Sequence, residues 1–141
     1  MAALDTYLQF ILDYAPYFYY IPGTGVDLTF GRGVAAASFS IDFLYEAYNG
    51  GKFPSKQTDI YNKIVSLADW VLTQQCVNNT KDACGGFKSN ENSTFYYSID
   101  ACRVVPSLLK AYELTNDSDY LNAAVLAGKI FLKTMQDKQA H

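Results

Sequence analysis

Two stretches of this chain are written in the same pattern. Ala47-Tyr48 and Ala111-Tyr112 close two amphipathic segments 64 residues apart, and Tyr61, Leu67 and Ala68 recur as Tyr120, Leu126 and Ala127 at a spacing of 59, so the intervening turn has lost five residues. A helix hairpin repeated at this period cannot bury its apolar faces alone and must stack on a neighbour. The spacing within each stretch agrees. Ile60, Ile64, Ala68 and Val71 share one helical face over about 56–75, and Ala101, Val104, Val105, Leu108, Leu109 and Tyr112 recur at helical spacing in the second repeat. The same spacing places Leu4, Leu8, Ile11 and Ala15 on a first helix ended by Pro16, Ala36, Phe39, Phe43 and Ala47 on a second over about 34–48, and Ala123, Ala127 and Ile130 on a fifth. No useful run alternates with a strand period, so the expectation is an all-α fold of five helices in antiparallel hairpins, one domain over residues 1–141.

The punctuation between helices is legible too. Gly50-Gly51 stops the second helix, Ser55 can cap the third, and Asn116, Asp117 or Ser118 can cap the fifth. Pro106 interrupts the fourth, which must either kink or begin near Val105. Residues 16–23 put four consecutive aromatics between two prolines, which suits an extended or turned segment, and the glycines at 23, 25, 31 and 33 mark a long irregular connection. Those glycines are no phosphate loop, because no Lys-Ser or Lys-Thr follows them.

Composition removes whole classes of function. Net charge is −3 and the chain holds two arginines, Arg32 and Arg103, which excludes nucleic acid as a partner, since that affinity rests on clustered Lys and Arg. No stretch nears the roughly 20 apolar residues of a membrane span. Asp5 and Asp13 within the first segment and the lack of a basic start argue against a signal peptide. The single His is terminal and the cysteines lack paired ligand spacing, so no metal and no cofactor is expected. Cys76 and Cys84 bracket one loop and could bridge in an oxidising compartment, leaving Cys102 as a small buried hydrophobe. Sequons at Asn78, Asn92 and Asn116 all fall in expected loops and favour an extracellular or cell-surface setting.

The run Leu67-Ala68-Asp69-Trp70-Val71-Leu72-Thr73-Gln74-Gln75, a loop, Gly85-Gly86-Phe87, then Ser98-Ile99-Asp100-Ala101 leading to Tyr112-Glu113-Leu114-Thr115-Asn116-Asp117-Ser118-Asp119-Tyr120-Leu121 resembles one repeat of the α/α-toroid superfamily. That superfamily includes six-hairpin glycosidases, polysaccharide lyases and terpene cyclase and prenyltransferase toroids. The resemblance spans about residues 33–137 and specifies architecture better than activity. Five helices are fewer than a full toroid has, so it implies a partial ring, a homo-oligomer or a piece of something larger. The acidic cluster of the cyclases and the zinc ligands of the prenyltransferases have no counterpart, which leaves the carbohydrate-active branch.

In such rings the helix N-termini of the inner layer face a central funnel, which directs attention to the starts of the second and fourth helices. The repeat makes Arg32 and Tyr96 equivalent, and Asp100 and Arg103 lie near one helical face, so Asp100 and Arg103 are the candidates for catalysis. The helix dipole alone would also favour an acid at Asp100. Arg32, Tyr96, Tyr97, Tyr19 and Tyr20 are the candidates for substrate binding, the tyrosines as stacking platforms. Three readings follow: a carbohydrate-active or carbohydrate-binding domain acting on a polysaccharide, a non-catalytic interaction module with a glycan or protein partner, and a structural domain of a larger surface or viral protein. Carboxylates converging with both arginines would favour the enzyme, and an exposed aromatic patch without them would favour the module.

Overall fold

The computed structural model describes residues 2–21 and 25–139, with side chains over 2–17 and 31–138. Helices dominate it: α1 (Ala2–Tyr14), α2 (Val34–Gly50), α3 (Gln57–Thr73), α4 (Ser98–Thr115) and α5 (Ser118–Leu126). The last of these runs on through a π-helical stretch (Ala127–Leu132) into α6 (Lys133–Gln139), so that five helical rods result.

The side-chain contacts fix how the rods lie. Arg103 reaches Phe39, Ser107 reaches Ser38 and Asp42, and Lys110 reaches Asp42 and Tyr45, so α2 and α4 run parallel with their N-termini at the same end. Tyr7 meets Phe43 edge-on at 4.7 Å while Gly33 N–H donates to the Pro16 carbonyl at 3.0 Å, which makes α1 antiparallel to α2. The two helices α2 and α4 thus run side by side in the same direction, with α3 between them along the chain. Between the layers lie Leu44 and Leu108, repeat equivalents and both fully buried, with Ile41, Ile64, Val104 and Phe131 around them. Burying each such side chain stabilises the fold by about 1.5–3 kcal/mol.

Several helix ends follow the sequence. Gly51 adopts the left-handed conformation after α2, Asn116 does so after α4, and the Asp117 carboxylate accepts the Asp119 amide at 3.0 Å to cap α5. Ser55 does not cap α3. Pro54 opens a 3₁₀ turn (Pro54–Lys56) closed by Lys56 N–H on the Phe53 carbonyl, and Ser55 lies inside that turn. The fourth helix runs continuously from Ser98 through Pro106. Pro106 and Cys102 are both exposed, so the Cys102 carbonyl that loses its helical partner faces water.

The aromatic segment is not merely extended. Strand β1 (Tyr17–Ile21) pairs antiparallel with β2 (Gly25–Arg32), with Tyr17 opposite Arg32, Tyr19 opposite Asp27 and a bulge between. Aromatic and β-branched residues favour such a ladder once a partner is adjacent. The connection expected to be irregular therefore supplies the second strand.

Candidate functional site

The loop between α3 and α4 assembles the region to which the repeat points. Its geometry starts from Gly85 and Gly86. Gly85 has φ +86°, and a Cβ there would meet the Leu126 carbonyl oxygen at 2.6 Å; one at Gly86 would meet the Phe131 ring at 2.8 Å. Only glycine lets the loop lie directly on α5 and its π-helical continuation. Gln75 locks the junction, its Nε2 donating to the carbonyls of Gly85 and Ala123 at 3.0 and 2.9 Å. Phe87 then inserts fully into the core.

Past Phe87 the loop bridges the starts of α2 and α4. Val34 N–H donates to the Ser89 carbonyl, and Glu91 N–H to the Arg32 carbonyl. The Glu91 carboxylate accepts the Arg32 amide at 2.9 Å and its Nε at 2.8 Å, while the guanidinium stacks over Trp70. The Arg32 amide and then its guanidinium hold the Glu91 carboxyl below the usual range. Arg32 is thereby a fastener of the loop. Its repeat equivalent Tyr96 pairs with Lys88 on the same loop and packs against the core, where burial raises its phenol pKa.

Asp100 lies in the first turn of α4, 4% exposed, and its Oδ2 has no hydrogen-bond partner among the described residues. Burial pushes its carboxyl above the usual range, opposed in smaller measure by the Arg103 charge and the Ser89 hydroxyl. Arg103, one turn on, is exposed and lies over the Phe39 ring at 5.6 Å. Arg32 and Arg103 therefore sit at one end of the array. None of the hollows described is lined by Arg32, Tyr96, Tyr97, Asp100 or Arg103; the one between α1 and residues 52–56 lies toward the opposite end.

Tyr97 is about half exposed at the start of α4 and stacks on Phe95, with ring centroids 6.1 Å apart and planes 29° apart. The pair is held from below. Ser93 Oγ accepts the Phe95 amide, Asn90 Oδ1 accepts the Asn92 amide, and Ser89 N–H donates to the Phe95 carbonyl. Tyr19 and Tyr20 sit on β1, and their side chains lie outside the described residues.

The cysteines depart from expectation. Cys76 and Cys84 are free thiols, and the bridge between them is not formed; the loop is closed instead by paired backbone bonds of Cys76 with Gly85 and Gly86. Cys102 is exposed and not buried, because it falls on a side of α4 that no described residue covers. Among the described residues no cluster of three or more His, Cys, Asp or Glu could hold a metal, and no helix is long and apolar enough to cross a membrane. Glu91 completes the site without a motif to announce it, whereas Trp70 and Phe39 belong to stretches read as helical and Phe95 directly precedes Tyr96 and Tyr97.

No family model, curated protein or solved structure matches this chain.

Proposed function

We propose that this chain is a carbohydrate-binding helical module that acts without catalysis. The observation that carries the reading is the exposed Phe95–Tyr97 stack at the head of α4, 6.1 Å between centroids, pinned by three hydrogen bonds of its own loop. Two large aromatic faces left in water lose hydrophobic stabilisation that a ligand's apolar face restores. The axial C–H face of a pyranose has the size and flatness to lie on such a platform, and the exposed Arg103 is near enough in sequence and end of the array to address sugar hydroxyls.

Hydrolysis needs two carboxylates across one bond, one of them free to take up or give a proton. Glu91 is engaged by Arg32, and Asp42 by Ser107 and Lys110, so neither stands free to work with the buried Asp100. Binding without turnover fits this arrangement, as does the resemblance to the carbohydrate-active branch. Titration calorimetry against a panel of neutral and acidic oligosaccharides tests the reading. Binding by the native chain that weakens about 10-fold or more in Phe95→Ala and in Tyr97→Ala, roughly 1.4 kcal/mol each, supports it. Absence of binding across the panel, or binding indifferent to both substitutions, defeats it.

A further inference from the structure

Three sequons, Asn78-Asn79-Thr80, Asn92-Ser93-Thr94 and Asn116-Asp117-Ser118, are alike as sequence and unlike as structure. The first lies in the loop that follows α3, where residues 77–82 are all exposed. There the Asn78 carboxamide folds back on its own triplet as an Asx turn. Its Oδ1 accepts the Thr80 hydroxyl at 2.7 Å and the Thr80 amide at 3.0 Å, while its backbone carbonyl accepts the Lys81 amide at 3.1 Å. Both side-chain bonds fall on the oxygen. The Nδ2 amino group therefore stands at an exposed position with no bond to any described residue.

The other two triplets are engaged elsewhere. The Asn92 amide donates to Asn90 Oδ1, the Ser93 hydroxyl accepts the Phe95 amide at 3.0 Å, and no hydrogen bond joins Thr94 to the Asn92 carboxamide among the described residues. Asn92 Nδ2 lies 2.9 Å from where a Cβ on Gly31 would stand, so that nitrogen rests against the end of β2. Asn116 is held by helices on both sides. It ends α4 at φ 58° with its amide on the Tyr112 carbonyl at 2.7 Å, and Ser118 is already the first residue of α5. An enzyme that takes the triplet as an exposed turn would have to unwind a helix end to reach it.

We infer that Asn78 is an acceptor for N-linked glycosylation, and that the fold selects it over Asn92, the other sequon that ends in Thr. The partner is an oligosaccharyltransferase with an oligosaccharide carried on a lipid diphosphate, the enzyme class that reads Asn-X-Ser/Thr. Asn78 Nδ2 attacks the anomeric carbon of that donor. The C–N bond forms as the C–O bond to phosphate breaks, the lipid diphosphate leaves with the electron pair, and one Nδ2 proton passes to a base of the transferase. A carboxamide nitrogen is a weak nucleophile, because its lone pair is shared with the carbonyl. The two donors of Thr80 draw charge onto Oδ1 and make an Nδ2 proton easier to lose, so Thr80 is a positioning residue for the transfer. A glycan at this exposed turn extends into water and displaces no packed side chain. The inference is independent of what the Phe95–Tyr97 stack binds.

The native folded chain, incubated with a purified oligosaccharyltransferase and its lipid-linked donor, is read by intact mass and by peptide mapping of the glycan-bearing residue. Asn78 should be occupied about 10-fold or more faster than Asn92 or Asn116. Unfolded peptides centred on Asn78 and on Asn92 should be taken by the same enzyme at similar rates, since the fold makes the difference. Asn78→Gln should abolish the rapid modification. Thr80→Val, which keeps the shape of the side chain without its hydroxyl, should abolish it too, and Thr80→Ser should restore it. All three substitutions fall at exposed loop positions. Asn78 left unmodified in the native chain, Asn92 modified as fast, or peptides that keep the preference of the folded chain would each overturn the inference.

Discussion

Asp100 and Glu91 are two carboxylates of one loop-and-helix junction with opposite electrostatic histories. Glu91 is held below its ordinary range by the Arg32 amide and guanidinium, so its contribution to stability is present above the unfolded value near 4.3 and is lost as pH falls through its folded value. Asp100 is raised by burial, so the folded chain binds its proton more tightly than the unfolded chain does. Stability therefore falls as pH climbs from the ordinary Asp value of about 3.9 through the raised one. Asp100→Asn cannot ionise. It should be more stable than the native protein at neutral pH, and the gap should narrow below about pH 4, as read from urea midpoints along a pH series. A variant less stable at pH 7 would show that the carboxylate is needed in its charged form, and would return Asp100 to consideration as a chemical group.

At the scale of elements, two features of α4 and its preceding loop decide local stability. Gly85 cannot accept a side chain, because its φ is positive and the Leu126 carbonyl occupies the space. Gly85→Ala should destabilise the fold by about 1–3 kcal/mol through backbone strain and displacement of α5, visible as a lowered urea midpoint with the slope unchanged. Pro106 acts in the other direction. It removes an amide from the middle of a helix at an exposed position, so Pro106→Ala should raise stability by about 1–3 kcal/mol in thermal melts. The helices themselves, the stop at Gly51 and the Asp117 cap were legible from residue spacing, since local backbone preference governs them; the face that α2 buries was not, since Val34, Ala37, Ile41 and Leu44 line it and Phe39 is 60% exposed, and Asn116, a cap candidate for the fifth helix, ends α4 instead. The β1–β2 ladder was not, because a run such as Tyr17-Phe18-Tyr19-Tyr20-Ile21 becomes a strand only when a second segment arrives beside it.

For the molecule as a whole, the repeat links stability to the space between layers. Leu44 and Leu108 occupy equivalent positions with no exposure, so Leu108→Ala should cost about 2–5 kcal/mol in chemical unfolding, according to how far the neighbouring helices collapse into the cavity. The sequence by itself determined the five helical rods, their pairing into hairpins and the equivalence of α2 with α4, because apolar period and turn chemistry are local and repeat visibly. It also brought Arg32, Tyr96, Asp100 and Arg103 to one end of the array, since equivalent positions in parallel helices share an end. Their environments were decided only by tertiary structure. The 87–97 loop gave Arg32 to Glu91 and Trp70, buried Asp100 and left Phe95 and Tyr97 in water. Cys102 shows the physical reason: a small apolar residue within a helix suits a core, but burial requires a neighbour to cover its side, and which helix side is covered is a property of the packed array.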